Sequence, residues 1–192
     1  MENPVKKYFG STKNFVWEVV KVVVISLAII IPIRYFLIQP FYVKGASMEP
    51  NFYDYEYLII DEISYRFDEP NRGQVIVLRD PRNKRQYFIK RIIGLPGETV
   101  EVKDGKVTVY NDEFPEGEVL DETSYLGDLK TGGEAKVSLA GNEYFILGDN
   151  RSASLDSRIF GPIVEDEIIG RVWVRAYPFD RISGFENINY EL

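Results

Sequence analysis

Apolar residues follow two regimes along this chain. From Val19 to Ile38 the sequence reads VVKVVVISLAIIIPIRYFLI, and its core from Val22 to Ile33 is broken only by Ser26 and Pro32. β-Branched side chains surround the whole circumference and leave no polar face, so a helix here needs apolar surroundings on every side. About twenty residues at ~1.5 Å rise cover the ~30 Å hydrocarbon layer of a bilayer, with Lys21 and Arg34 near enough to its ends to reach the interface. The run exceeds the roughly 7–15 apolar residues of a cleavable signal. Residues 1–40 are therefore read as an uncleaved transmembrane anchor. Lys6, Lys7 and Lys13 ahead of the run hold its N-terminus in the cytoplasm and send the body across the membrane.

Residues 41–192 change to the shorter period of strands. Alternating or continuous apolar runs occur at Tyr55 to Ile60, Gln74 to Leu78, Tyr87 to Ile93, Thr99 to Val109, Tyr144 to Leu147 and Ile169 to Ala176. Asp104-Gly105 between TVEVK and KVTVY is a hairpin signal, and Pro96-Gly97 and Gly141-Asn142 mark further turns. The expected fold is mainly β: one transmembrane helix followed by an all-β, sandwich or barrel-like domain. Residues 112–133 read as a solvated acidic loop or insertion, because positions 112 to 129 carry seven acidic side chains and no basic one. Six aromatics (Phe41, Tyr42, Phe52, Tyr53, Tyr55 and Tyr57) follow the anchor, a composition suited either to a strand core or to a membrane interface.

Charge and composition narrow the chemistry. The net charge of -7 divides unevenly, with five Lys/Arg against two Glu in residues 1–40 and 18 basic against 28 acidic side chains beyond. An acidic body argues against nucleic acid as a partner. With no Cys and no His, disulfides, thiol nucleophiles, His-ligated metals and a Ser-His-Asp triad are excluded together. No metal or organic cofactor is called for.

Three segments carry the candidate chemistry. Gly45-Ala46-Ser47-Met48-Glu49-Pro50, read alone, is a turn; it lies close to the membrane, because nine residues beyond Ile38 extend at most ~30 Å. A serine nucleophile needs a base, which without His must be a lysine or a carboxylate. In Tyr87 to Ile93, strand alternation sets Lys90 on one face with Phe88 and Ile92, so burial there lowers its pKa towards the range of a base. Read alone, that segment is better taken as a strand-edge lysine reaching solvent. Arg91 points the other way and, if buried, requires a carboxylate partner. The third segment, Tyr144 to Arg158, runs from an apolar strand into a loop dense with hydrogen-bonding groups.

Together these segments resemble type I signal peptidase, the membrane-anchored leader peptidase of bacteria and related organelles. After the anchor come SMEP, RGQVIVLRDP, YFIKRIIGLPGE and GDNRSASLDSRIFGPI in the family's order, covering most of residues 41 to 163. The resemblance implies a Ser-Lys dyad with Ser47 as nucleophile and Lys90 as base. It implies that Ser154 hydrogen-bonds and orients the lysine amine, that Asp149 pairs with Arg91, and that Asp156 and Arg158 form a second pair supporting the loop. Some members donate a serine hydroxyl to the oxyanion two residues before the nucleophile; here that position is Gly45, as in the Gram-positive pattern. The backbone N–H of Ser47, with that of Gly45 or a water, is left to fill the role.

The implied substrates are signal peptides of secreted preproteins cleaved after Ala-x-Ala near the export channel, at the outer face of the cytoplasmic membrane. An extended peptide adds to a strand edge while small pockets admit Ala-sized side chains. Phe41, Tyr42, Val43 and Ile89 are the candidates for those pockets. Two other readings remain at this point: a peptidase with the same dyad dedicated to one precursor, and a non-catalytic anchored β-domain that binds exported peptides.

Overall fold

The structure is a computed structural model that describes residues 4–32, 38–185, 188 and 190. It divides into two compact units, Met1–Ile38 and Gln39–Leu192.

The first unit is helix α1 (Pro4–Pro32). Its stretch Lys13–Ile31 is long and apolar enough to cross a membrane, about 28 Å at 1.5 Å per residue. The apolar side chains from Phe15 to Ile31 are largely exposed, so no protein core takes them up. The helical apolar stretch is Lys13–Ile31 rather than Val19–Ile38: Phe15, Val16 and Trp17 extend the apolar surface past Glu18, Lys21 falls inside the stretch instead of near its end, and Ile38 opens a strand. Arg34, expected near the outer end of the span, lies outside the described residues.

The second unit is mainly β. Its elements are β1 (Ile38–Tyr42), β2 (Tyr57–Asp61), β3 (Val75–Asp80), β4 (Asn83–Gly94), β5 (Thr99–Lys103), β6 (Lys106–Tyr110), β7 (Glu118–Val119), α2 (Thr123–Leu126), β8 (Ala135–Ser138), β9 (Glu143–Leu147), α3 (Ser157–Phe160), β10 (Ile163–Val164), β11 (Ile168–Tyr177) and β12 (Ser183–Gly184). One sheet has the order β1-β2-β11-β3-β4-β9-β10, with β12 on β11; a second has the order β7-β6-β5-β8. All the pairings with a described register are antiparallel.

Local chemistry explains the joints. Asp104 and Gly105 both take positive φ, 51° and 81°, which gives β5 and β6 a two-residue turn matched to their twist. The small sheet packs Val100, Val102, Val107 and Val109 against Ile93, Phe145 and Leu147. Glu98 secures the link from β4 to β5 by accepting from the Leu95 N–H at 2.8 Å and from Arg72 at 2.5 Å. β4 runs from an exposed first half into a wholly buried second half, so its faces cease to differ where Lys90 and Arg91 sit.

The acidic segment departs from expectation. Instead of a wholly solvated loop, it contains β7 and α2 and buries Leu120, Tyr125 and Leu126 in the same cluster as the small sheet. Its apolar positions were hidden among carboxylates that remain largely at the surface.

Candidate active site

Three distant segments meet at the buried half of β4. Lys90 lies opposite Ile76 of β3, and Arg91 is flanked by Val75 on one side and Leu147 of β9 on the other. The turn at residues 47–50 follows β1, and two backbone links from Val43 to the segment just before β2, Val43 N–H to the Glu56 carbonyl and Tyr55 N–H to the Val43 carbonyl, set its position. The polar loop follows β9.

Lys90 Nζ is 2.8 Å from Ser47 Oγ and donates to the Ile89 carbonyl at 2.8 Å. Lys90 is 2% exposed, and its Nζ stands 5.2 Å from the Phe88 ring centroid. Burial lowers its pKa from the ordinary 10.5 to about 8, against the opposing pull of Asp156 and Asp149. Among the described residues it has no carboxylate in ion-pair contact, unlike the buried arginines Arg91, Arg151 and Arg175. An amine so placed is neutral in roughly one molecule in ten at pH 7 and in about half at pH 8, far more than an ordinary lysine, and can accept the Ser47 proton.

The surrounding charges are paired. Arg91 Nε and Nη2 donate to the two oxygens of Asp149 at 2.8 and 2.6 Å, and its Nη1 donates to the Gly73 carbonyl at 2.8 Å. Arg158 holds Asp156 through two bonds of 2.8 Å. Asp156 also accepts the Gly148 N–H at 3.1 Å and caps α3 at the Arg158 N–H. Burial pushes the Asp156 carboxyl up, but its bonds to Arg158 and Gly148, with the nearby Ser154 hydroxyl, outweigh this, and the net shift is downward.

Two positions differ from the arrangement the resemblance implies. Ser154 Oγ makes no well-formed hydrogen bond and does not bond the Lys90 amine, although it lies near enough to Asp156 to favour that carboxylate. It packs against Gly148, where an added Cβ would collide with Ser154 and come within 2.5 Å of the Ser47 carbonyl oxygen. The Gly45 N–H is also committed elsewhere, donating to Asp54 Oδ1 at 2.9 Å, which removes it from the expected oxyanion donors. Gly45 has φ of 91°, a conformation that disfavours serine, so the absent hydroxyl donor and this backbone shape go together. The Ser47 N–H donates to no described residue.

Several residues that hold the site together carried no separate signal. Asn150 donates its N–H to the Ser47 carbonyl at 3.1 Å and its Nδ2 to the Ala46 carbonyl at 3.0 Å. Met48 is fully buried, with Sδ accepting from the Asp149 N–H at 3.4 Å. Asn51 Nδ2 donates to Asp149 at 2.8 Å. Asn150 lay within the quoted GDNRS run, and Met48 and Asn51 beside Ser47, but nothing local indicated their partners about a hundred positions away. An open cleft of about 90 Å³ reaches the Ser47–Lys90 pair, and Phe41, Tyr42, Val43 and Ile89 all line it with Leu58 and Val77.

The chain has relatives among known proteins. The sequence model of the family described as "Signal peptidase, peptidase S26" matches residues 16–177. A "Probable signal peptidase I-2" of Synechocystis sp. is 35% identical over 183 residues, covering 93% of this chain and 81% of that protein. A "Signal peptidase I" of Bacillus amyloliquefaciens is 35% identical over 170 residues, covering 86% of this chain and 88% of the relative. A crystal structure of a signal peptidase I from Enterococcus faecalis is 31% identical, covers 55% of this chain and 97% of that one, and superposes with a TM-score of 0.47.

Proposed function

The chain belongs to the signal peptidase family, peptidase S26, and from that membership we propose that it removes N-terminal signal peptides from exported preproteins with Ser47 and Lys90 as its catalytic pair. The observation that carries this reading is the buried, depressed-pKa amine of Lys90 standing 2.8 Å from Ser47 Oγ.

The mechanism is Ser-Lys covalent catalysis. Neutral Lys90 takes the Ser47 proton as Oγ attacks the scissile carbonyl. The developing oxyanion is met by the Ser47 N–H; loss of a side-chain oxyanion donor costs another enzyme ~2.7–4 kcal/mol, which sets the scale of such a contact. The Lys90 ammonium then protonates the leaving amine as the C–N bond breaks, leaving an acyl-serine. Returned to neutrality, Lys90 deprotonates the water that hydrolyses this ester and restores Ser47.

The signal peptide enters extended along the cleft, where the small volume favours Ala-x-Ala side chains. The anchor spans the cytoplasmic membrane with its lysine-bearing N-terminus inside. This holds the second unit at the outer face, near the channel that delivers the precursors. Asp149, Arg91, Asp156 and Arg158 act as supports, and Ser154 lies beside Asp156 within this support.

The test is cleavage in detergent of a purified preprotein with an Ala-x-Ala site, comparing wild type, Ser47→Ala and Lys90→Ala, with the product N-terminus read by mass spectrometry. Wild-type cleavage after the second Ala, with both variants folded and inactive, is the expected result. An inactive wild type, or a Lys90→Ala enzyme that cuts normally, would overturn the assignment. Equal cleavage of unrelated preproteins separates a general signal peptidase from an enzyme dedicated to one precursor.

A further inference from the structure

Behind the Ser47–Lys90 pair, α2 of the acidic segment places Tyr125 against all three segments of the site. Tyr125 is 8% exposed, and the Arg91 guanidinium lies over its ring, 4.2 Å from the centroid. Arg91 is the chain neighbour of Lys90 and the partner of Asp149. The Tyr125 backbone carbonyl accepts from Asn51 Nδ2 at 2.9 Å, and the N–H of Asn51 closes the nucleophile turn on the Met48 carbonyl at 3.0 Å. The Tyr125 hydroxyl donates to Glu122 at 2.5 Å and accepts from Arg151 at 3.1 Å. Arg151 in turn pairs with Glu122 at 2.5 Å and grips the Gly148 carbonyl at 3.0 Å. Tyr190 completes the cluster by donating to the Tyr125 hydroxyl at 2.9 Å.

A residue that merely filled space would need only its ring. Here ring, carbonyl and hydroxyl each engage a different catalytic segment, and those segments lie far apart in sequence. We infer that Tyr125 is a positioning residue, locking the nucleophile turn, the base-bearing strand and the polar loop into one rigid unit that fixes the Ser47–Lys90 separation. The inference rests on the reading of Ser47 and Lys90 as the catalytic pair. A misplacement of about 1 Å in such a pair lowers turnover by up to ~10²-fold.

There is also an electrostatic consequence. Asp149 and Asp156 both favour the charged form of Lys90, and Arg91 compensates Asp149 at close range. Loss of the Tyr125 ring frees Arg91 to draw away from Asp149, so the Lys90 amine becomes more basic. Asp156, held by Arg158, makes no bond to Tyr125 and supplies a constant background.

The test uses the full chain in detergent with the same preprotein. Wild type, Ser47→Ala, Tyr125→Leu and Tyr125→Phe are compared for kcat and KM from about pH 6 to about pH 10, spanning the Lys90 titration, with thermal unfolding as a check on folding. Tyr125→Leu is expected to lower kcat about 10- to 100-fold with KM within about twofold, and to move the acid limb to higher pH. Tyr125→Phe keeps ring and carbonyl, and is expected to lower kcat about threefold to tenfold with the acid limb in place. A folded Tyr125→Leu enzyme with wild-type kcat and pH profile overturns the inference. So does Tyr125→Phe at wild-type kcat, which decides the matter if the leucine variant does not fold. A wild type that fails to cleave, or a Ser47→Ala enzyme that succeeds, refutes the catalytic assignment instead, and the positioning role falls with it.

Discussion

The small sheet β7-β6-β5-β8 and the buried half of β4 are both shielded from water, yet they are filled with opposite kinds of residue. The first closes on valines, leucine, isoleucine and phenylalanine. The second carries Lys90 and Arg91, against which the loop after β9 sets Asp149, Arg151 and Asp156, each of the five 5% exposed or less. Apolar burial stabilises by about 25 cal/mol per Å², whereas a buried charge destabilises unless it is paired. Arg91, Arg151 and Asp156 each have an opposite charge within 2.8 Å, and Lys90 does not. Among the described residues, the contrast separates paired charges that hold the fold from Lys90, the buried amine proposed as the base.

The sharpest way to test that contrast is to remove the reacting groups. Ser47→Ala and Lys90→Met should each lower kcat by about 10⁴-fold or more in the preprotein assay. Wild-type kcat should rise as pH passes about 8 and then level off, since the base works only when deprotonated. Activity still climbing beyond the ordinary lysine value of 10.5 would contradict a tuned base.

Breaking a paired charge comes next in size. Asp149→Asn strands Arg91 without its anion and should destabilise by about 3–5 kcal/mol in denaturant unfolding. The unpaired charge behaves in the opposite way. Because the Lys90 pKa is lower in the folded state, the unfolded chain binds more protons between about pH 8 and 10.5, and stability rises with pH across that window. Below it the penalty is complete. Lys90→Met should therefore stabilise the inactive protein by about 3 kcal/mol at pH 7, a gain that shrinks as pH approaches 10.5. Equal stability of the two proteins at pH 7 would remove the argument for a strained base.

Smaller effects belong to the other region. Val107→Ala in the small sheet should destabilise by about 2 kcal/mol, with kcat per folded molecule unchanged. Lys136→Ala, which removes a surface partner 3.5 Å from Glu101, should shift stability by less than about 1 kcal/mol.

The two regions were also unequally legible. Six strand-forming stretches and the Asp104-Gly105 hairpin could be read from local pattern, because alternation and a two-residue turn are local properties. β8, with the pattern AKVS, and the two-residue strands β7, β10 and β12 were missed, since so few residues establish no period. α2 was missed because its buried Tyr125 and Leu126 lie in an acidic run that resembles solvated loop. The Ser47, Lys90 and polar-loop segments were recognisable as motifs, and the resemblance implied the Asp149–Arg91 and Asp156–Arg158 pairs that the structure contains, but not the contacts of Met48, Asn51 and Asn150. The Gly45 N–H could be expected at the oxyanion until its bond to Asp54 appeared.

The sequence alone determined what chemistry was available: no His or Cys, an apolar stretch long enough to cross a membrane, a β-rich acidic body and four motifs in order. These are matters of residue identity and local period. Tertiary structure alone decided how deeply Lys90 is desolvated beside Ser47, that Asp149 engages Asn51 as well as Arg91, and that Tyr125 joins all three segments. A depressed pKa and a hydrogen-bond partner depend on every group within a few ångströms. Here those groups come from positions as distant as 47, 90, 125 and 149, a proximity that exists only once the chain has folded.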